Sequence, residues 1–420
     1  MKVLLICHFW SSQLINLLNS KKRKDPSPWI QEILNLFENK NDLELIVLAP
    51  NYDSNKDIIV EHNNIKYYLF KYSPTVLSRL FYPIVPKLIK HDDPRKISER
   101  IANLMTGYLY PRYRMKRIIN EIHPDIIHLY GTENPEYSVG ILPFINKLRY
   151  KILVSLQGFV FLQPDRSFFL SRLNHYWRVK YEKYINERIS YLTISPNGSS
   201  YFKYYLNTPK VFELIPITKD PKINASLIKK KYDIVFYAKV TKDKGIEELI
   251  KAVAYLKNEF NRKVSVLVIG FCESNYFAQL KAFLVEECIE QQFHFTGFIF
   301  NHGEVYHLAS SAQIMVLPTH NDGFNNTIRE AMLMRLPVIT TALDTISFVN
   351  DENKCALLYD VGNFVGIADG IMKILDNNSL RRELIDNAFS LMRESFGTEM
   401  IYSKILDIYR LLYNETNSNS

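Results

Sequence analysis

Short apolar runs alternate with helical stretches along nearly the whole chain, and this alternation is what most restricts its fold. Lys2–Cys7 is apolar after its first residue, as expected of a parallel strand covered on both faces. A polar loop follows, then Ser27 and Pro28 as N-cap and first helical position of a helix through Phe37, then a second strand at Leu43–Ala49. The pattern predicts strands at Ile126–Leu129, Ile152–Leu156 and Tyr191–Ile194, and helices near Pro111–Ile122, Tyr137–Lys147, Phe168–Arg188 and Pro196–Leu206. It lapses over Pro216–Lys231, which reads as a linker, and then restarts. The second series has strands at Ile234–Tyr237, Val264–Ile269, Phe293–Thr296, Ile314–Leu317 and Pro337–Thr341. Its helices fall at Gly245–Lys257, Asn275–Glu287, Gly303–Ala309, Asn326–Met334, Phe364–Leu375, Leu380–Glu394 and Glu399–Leu412.

A chain of 420 residues is too long for one core and suits two domains. The expected organisation is α/β, with two Rossmann-like, doubly wound parallel-sheet domains facing a cleft, at residues 1–215 and 232–396. A terminal helix at 397–413 and a disordered polar tail at 414–420 complete it.

Charge divides unevenly between the halves. Residues 1–215 carry 30 Lys and Arg against 19 Asp and Glu, whereas 216–420 carry 22 against 25, so an anionic partner is expected at the first half. Between Tyr67 and Arg117 cations alternate with rings, among them Arg79, Phe81, Tyr82, Lys87, Lys90, Tyr110, Arg112, Tyr113 and Lys116. Such a surface suits anionic lipid headgroups, and equally a tyrosine-rich acceptor pocket with a solvated basic rim. No nucleic-acid-binding signature accompanies it. With no apolar window long enough to span a bilayer and a start, Met1–Trp10, unlike a signal peptide, the chain reads as cytoplasmic, with contact at the inner face of the membrane as a further expectation. Cys7, Cys272, Cys288 and Cys355 lack the paired spacing of a zinc site or disulfide framework.

Open parallel sheets bind ligands in the loops beyond their strands' carboxyl ends. The most informative such loop runs from Leu317 through Thr319, Asp322, Gly323, Phe324 and Asn325 into the helix that bears Glu330. Gly323 permits close backbone approach, and the amides of Phe324, Asn325 and Asn326 would point at an anion such as a diphosphate. Asp322 is placed to reach a sugar hydroxyl and Glu330 to accept from ribose hydroxyls; the plainer alternative is an N-capping acid and an exposed helical acid. In a second loop, Tyr237–Gly245, Lys239 and Lys244 can neutralise a departing diphosphate, although surface lysines are usually only solvated.

With these two loops the sequence resembles the retaining GT-B glycosyltransferases often called family four, also known as glycosyl transferases group 1. The resemblance covers Asp233–Leu375 well and the first half in outline. The family's paired acids, separated by seven intervening residues with Gly-Phe after the first, correspond to Asp322-Gly323-Phe324 and Glu330; Asp322 stands where Glu is usual. Lys239 and Lys244 look like the family's diphosphate cations, with Lys where Arg is commoner, which keeps the charge and gives up the bidentate fork. Gly270 and Ile299 match stretches that border the nucleotide base, and equally read as ordinary strand ends. His8 follows the first strand where the family often has a glycine-rich loop, and Gln157-Gly158 replaces a common His-Gly pair; Gln157 can bond a hydroxyl but cannot carry a proton.

The resemblance implies a retaining glycosyltransferase (EC 2.4 class) that uses a nucleotide-diphosphate sugar as substrate, with no cofactor and no required metal. Its catalytic groups would be Asp322, Lys239 and Lys244, its donor-binding residues Gly323, Phe324, Asn325, Glu330, Gly270, Ile299 and Thr319, and its acceptor-side residues His8, Gln157 and Gly158. The acceptor would be a glycan or lipid-linked saccharide in surface polysaccharide biosynthesis, and the terminal helix would return to the first domain. A GT-B nucleotide-sugar 2-epimerase and a non-catalytic sugar-nucleotide-binding relative are the alternatives.

Overall fold

The computed structural model describes residues 1–8, 28–52, 56–72, 78–79, 94–147, 151–156, 160, 169–194, 210–214, 217–322 and 324–417. Gln157, Gly158, Gly323, the expected helix at 196–206, the loop at 9–12, and Phe81, Tyr82, Lys87 and Lys90 lie outside the described residues. The chain divides into two compact units, one holding Met1–Ile194 and the chain from Ile401 onward, the other holding Ile217–Met400.

Among the described residues, the first unit contains β1 (Lys2–Ile6), β2 (Glu44–Asn51), β3 (Ile58–His62), β4 (Ile65–Lys71), β5 (Ile126–Tyr130), β6 (Ile152–Ser155), β7 (Tyr191–Ile194) and β8 (Lys210–Glu213). They form one sheet in the order β3-β4-β2-β1-β5-β6-β7-β8. Its helices are α1 (Pro28–Phe37), α2 (Pro94–Met105), α3 (Leu109–Ile122), α4 (Pro135–Ser138) and α5 (Phe169–Asn186). Val3, Leu4, Leu5 and Ile6 are fully buried, consistent with a central strand. Each such side chain is worth about 1.5–3 kcal/mol of burial.

The sheet departs from the expected all-parallel pattern at its edge, where β3 pairs antiparallel with β4. Asn63 and Asn64 both take positive φ, 50° and 67°, and make the two-residue turn that joins these strands. The expected helix over Tyr137–Lys147 is also corrected. Asn134 caps α4 by accepting from the Glu136 N–H at 3.1 Å, but the regular helix lasts four residues and passes into a tighter 3-10 turn at Val139–Ile141. Pro143 follows and has no N–H to extend a helix.

The second unit contains β9 (Tyr232–Tyr237), β10 (Val266–Ile269), β11 (Phe293–Gly297), β12 (Ala312–Leu317), β13 (Val338–Thr341) and β14 (Leu357–Tyr359). All pair in parallel, in the order β11-β10-β9-β12-β13-β14. Around them lie α6 (Ile246–Phe260), α7 (Ser274–Glu286), α8 (His302–Ser310), α9 (Asn326–Leu333), α10 (Asp344–Ser347), α11 (Phe364–Asp376) and α12 (Asn378–Glu394).

The last helix, α13 (Thr398–Asn417), packs on the first unit from Ile401 onward. Tyr409 is fully buried and its hydroxyl lies 2.7 Å from Nδ1 of His128 on β5. The other ring nitrogen of His128 contacts Ser155 Oγ at 2.8 Å, and burial pushes its pKa down to about 3, so the ring is neutral. The helix continues to Asn417, past the point where a polar tail was expected to begin, because Glu415 is held by the Tyr191 hydroxyl and by Lys210. Tyr409→Ala should lower the unfolding free energy by about 3–5 kcal/mol, through a cavity and an orphaned His128 nitrogen. Denaturant unfolding checks this, and an unchanged midpoint would contradict the packing.

Candidate functional site

The second sheet reverses its strand order between β9 and β12, and the loops after these two strands carry the two motifs singled out in the sequence. This reversal marks the ligand-binding crevice of an open α/β sheet.

The first loop passes through a 3-10 turn at Lys242–Lys244 and enters α6 at Gly245, whose φ is 77°. A Cβ at Gly245 would stand 1.9 Å from the Pro318 carbonyl oxygen, so both the left-handed backbone and the lack of space require glycine. The close approach lets one carbonyl join the loops: Asp243 O accepts from the His320 N–H at 2.8 Å and from Thr319 Oγ1 at 3.2 Å. His320 Nε2 also lies 3.0 Å from Glu248 Oε2, within ion-pair distance though not aligned as a hydrogen bond.

With the loops joined, Lys244 pairs with the Asp322 carboxylate. Asn325 Nδ2 donates to the same Asp322 oxygen at 2.6 Å, while Asn325 Oδ1 accepts the Ile328 N–H at 3.0 Å and caps α9. The capping residue is therefore Asn325, which leaves Asp322 to the lysine. No acceptor among the described residues takes the first-turn amides of Asn326 and Thr327. They occupy the partly positive end of the helix.

Glu330 is half-buried on α9, and its Oε1 accepts the Tyr306 hydroxyl at 3.0 Å. Burial raises its carboxyl to about 7, with Tyr306 and Arg329 opposing the rise. Tyr237 Oη donates to Thr327 O at 2.6 Å and so fastens the end of β9 to α9. Arg329 is buried; it donates to Asn326 Oδ1 at 2.5 Å and to Asn325 O at 3.3 Å, and burial lowers its pKa to about 10.

The remaining sequence candidates fall in different places. Lys239 is exposed and forms no ion pair among the described residues. Gly270 adopts a φ of 155°, and a Cβ there would stand 1.8 Å from Ala238 O, so glycine is what lets the ends of β9 and β10 lie together. Ile299 is half-buried between the exposed rings of Phe298 and Phe300. Two donor-binding assignments are corrected at the side chain. Thr319 is fully buried and works as a tie between loops, and the Phe324 ring is buried against Phe348 at 5.2 Å and Phe396 at 6.1 Å, so Phe324 can offer a ligand only its main chain. His8 belongs to the first unit. Sequence reasoning missed Tyr237 and Tyr306, whose roles come from packing between elements and leave no local pattern. Among the described residues, no three His, Cys, Asp or Glu side chains are grouped to hold a metal ion.

Comparisons with known proteins bear on the family and the fold. The family described as glycosyl transferases group 1 matches residues 218–391. The capsular polysaccharide biosynthesis glycosyltransferase CapM of Staphylococcus aureus is 26% identical over 226 residues, which cover 53% of this chain and 55% of CapM. An uncharacterized glycosyltransferase of Methanocaldococcus jannaschii is 21% identical over 392 residues, 90% of this chain and 92% of the relative. Among solved structures, HepE of Anabaena in complex with UDP superposes with a TM-score of 0.62 at 14% identity, over 97% of this chain and 99% of HepE, a likeness of fold. The two units share the GT-B fold of these solved structures, and the second, over residues 218–391, is similar to the glycosyl transferases group 1.

Proposed function

We propose that the chain is a retaining glycosyltransferase that binds a nucleotide-diphosphate sugar at residues 238–245 and 318–330 and passes the sugar to a hydroxyl of a glycan or lipid-linked saccharide. The observation that carries this reading is the convergence of Lys244, the open amides of Asn326 and Thr327, and Glu330 at the switch point of the second sheet. Lys244 and the amides would hold the diphosphate, with the exposed Lys239 as a second cation. Glu330 would accept the ribose hydroxyls. Asp322 would orient Lys244 and offer a carboxylate oxygen to the donor sugar. Departure of the diphosphate gathers negative charge where these groups lie, so electrostatic stabilisation from the chain's own cations and amides is the main protein contribution. Attack from the face that the diphosphate leaves needs no enzyme base and retains the anomeric configuration. The UDP in the HepE complex and the polysaccharide role in CapM's name support the donor and acceptor classes.

The nucleotide reading is checked by thermal shift against UDP, GDP, ADP and their sugar conjugates. One base should raise the melting temperature, and Glu330→Ala should abolish the rise. The ionised carboxylate is the better acceptor, so with a pKa near 7 nucleotide-sugar affinity should increase about tenfold from pH 6 to pH 8. Glu330→Gln should bind weakly with no such slope, whereas an unaltered slope would assign the titration to another group.

A membrane role rests on a separate surface of the first unit. Leu109 is 59% exposed and Tyr113 56%, and with Arg112, Lys116 and Pro143 they line one recess; exposed Met105 lies at the end of α2. On α5, Lys180 lies over the rings of Tyr176 and Trp177, at 5.5 and 4.7 Å. Apolar and aromatic side chains set among cations fit an anionic headgroup layer, and no described helix is long and apolar enough to cross a membrane. The protein should float with anionic vesicles at low salt and not with zwitterionic ones, and Leu109→Glu with Tyr113→Glu should release it. Equal flotation with both lipids would reject the membrane role.

A further inference from the structure

The first sheet has its own reversal of strand order, between β1 and β5, and the side chains gathered there all belong to the first unit. His8 follows β1; its ring lies 5.5 Å from that of Tyr52, which follows β2, and 6.4 Å from that of Tyr137. Tyr52 and Tyr72, which follow β2 and β4, both donate their hydroxyls to Glu136, Tyr72 at 2.9 Å. Glu133 lies in the loop after β5. Its Oε1 is 3.4 Å from the Tyr137 hydroxyl, and its Oε2 is buried without a partner. Thr132 and Ser138, in the same segment, are fully buried with unpartnered hydroxyls. Gly131 makes room for this arrangement: its φ is 84°, and a Cβ there would stand 2.5 Å from the Glu133 carboxylate.

These carboxylates form no ion pair among the described residues, although the charge of Arg178 acts on Glu133 from a distance. The Arg178 Nε donates to the main-chain oxygen of Glu133 at 2.7 Å. The half of the chain that contains them carries 30 Lys and Arg against 19 Asp and Glu, so shortage of cations is not the reason. A buried carboxylate oxygen without a partner is costly and is relieved by a proton or by an arriving cation. Burial accordingly raises Glu133 above the ordinary carboxylate range. Glu133 and Glu136 are half-buried as residues, while Glu133 Oε2 itself is buried, so an arriving group has to displace the covering side chains to meet it. A neutral hydroxyl would supply one hydrogen bond and leave the charge unmatched, whereas an ammonium supplies both.

We propose that the cluster formed by Glu133 and Glu136, with Tyr52, Tyr72 and His8 around it, binds a protonated amino group on the acceptor, which makes the acceptor an amine-bearing sugar or cyclitol. Glu133 is the partner of the ammonium, and Glu136, oriented by two tyrosine hydroxyls, lies beside it. The identification of this ligand as an acceptor rests on the transferase reading; the recognition of an ammonium does not.

The test titrates the full chain with glucosamine, N-acetylglucosamine and glucose at pH 6.5, where most glucosamine is charged, by calorimetry. Glucosamine should bind about tenfold or more tightly than the other two, as a charged hydrogen bond warrants. Glu133→Gln should bring the three sugars to parity, and Glu136→Gln should weaken the preference in part. The nucleotide-induced rise in melting temperature should persist in both variants, which shows that they fold. Equal binding of the three sugars, no binding of any, or a preference that survives Glu133→Gln overturns the proposal. Loss of the nucleotide response in the wild-type chain would instead overturn the transferase reading.

Discussion

The nucleotide site depends on one close approach, that of Gly245 to the Pro318 carbonyl. Nothing larger than hydrogen fits on that Cα, and the residue's left-handed φ is one that glycine adopts at little cost. The loops after β9 and β12 can therefore share the Asp243 carbonyl, and this fixes Lys244 beside Asp322 at the mouth of α9. A side chain at position 245 would separate the cation from the helix terminus and leave two ordinary surface loops.

Around that contact the electrostatics are arranged by burial as much as by charge. Asp322 restrains Lys244, and Asn325 restrains Asp322 while capping the helix. Glu330, desolvated on α9 and held by Tyr306, sits near the midpoint of its titration at neutral pH. The first unit presents the converse case, acidic side chains that form no ion pair among the described residues of a basic half. In both units the unusual groups lie where the strand order reverses, the point at which a doubly wound sheet leaves its carboxyl ends open.

Much of the scaffold was legible because buried parallel strands are unbroken apolar runs. Tyr191–Ile194 was read at its observed bounds, and Ile314–Leu317 lies within β12. The errors have local causes. The β3–β4 hairpin was overlooked although Asn63-Asn64 between two apolar runs is a turn signal, and the helix over Tyr137–Lys147 was drawn through Pro143. At the site, the acids and lysines were visible as types, but their partners were not. That Lys244 would meet Asp322 and that Tyr306 would reach Glu330 follow from loops and helices far apart in sequence, whereas the capping of α9 by Asn325 is a local contact that competes with Asp322 for the same role.

If the proposed function holds, the loops after β9 and β12 form a single ligand site. Hydrogen–deuterium exchange with and without a saturating nucleotide sugar tests it most directly, since bound ligand suppresses local opening of the backbone it holds. Exchange should slow across 238–245 and 318–330 together, with the first-turn amides of α9 most affected. Protection of only one of these segments, or protection confined to other parts of the chain, would contradict it.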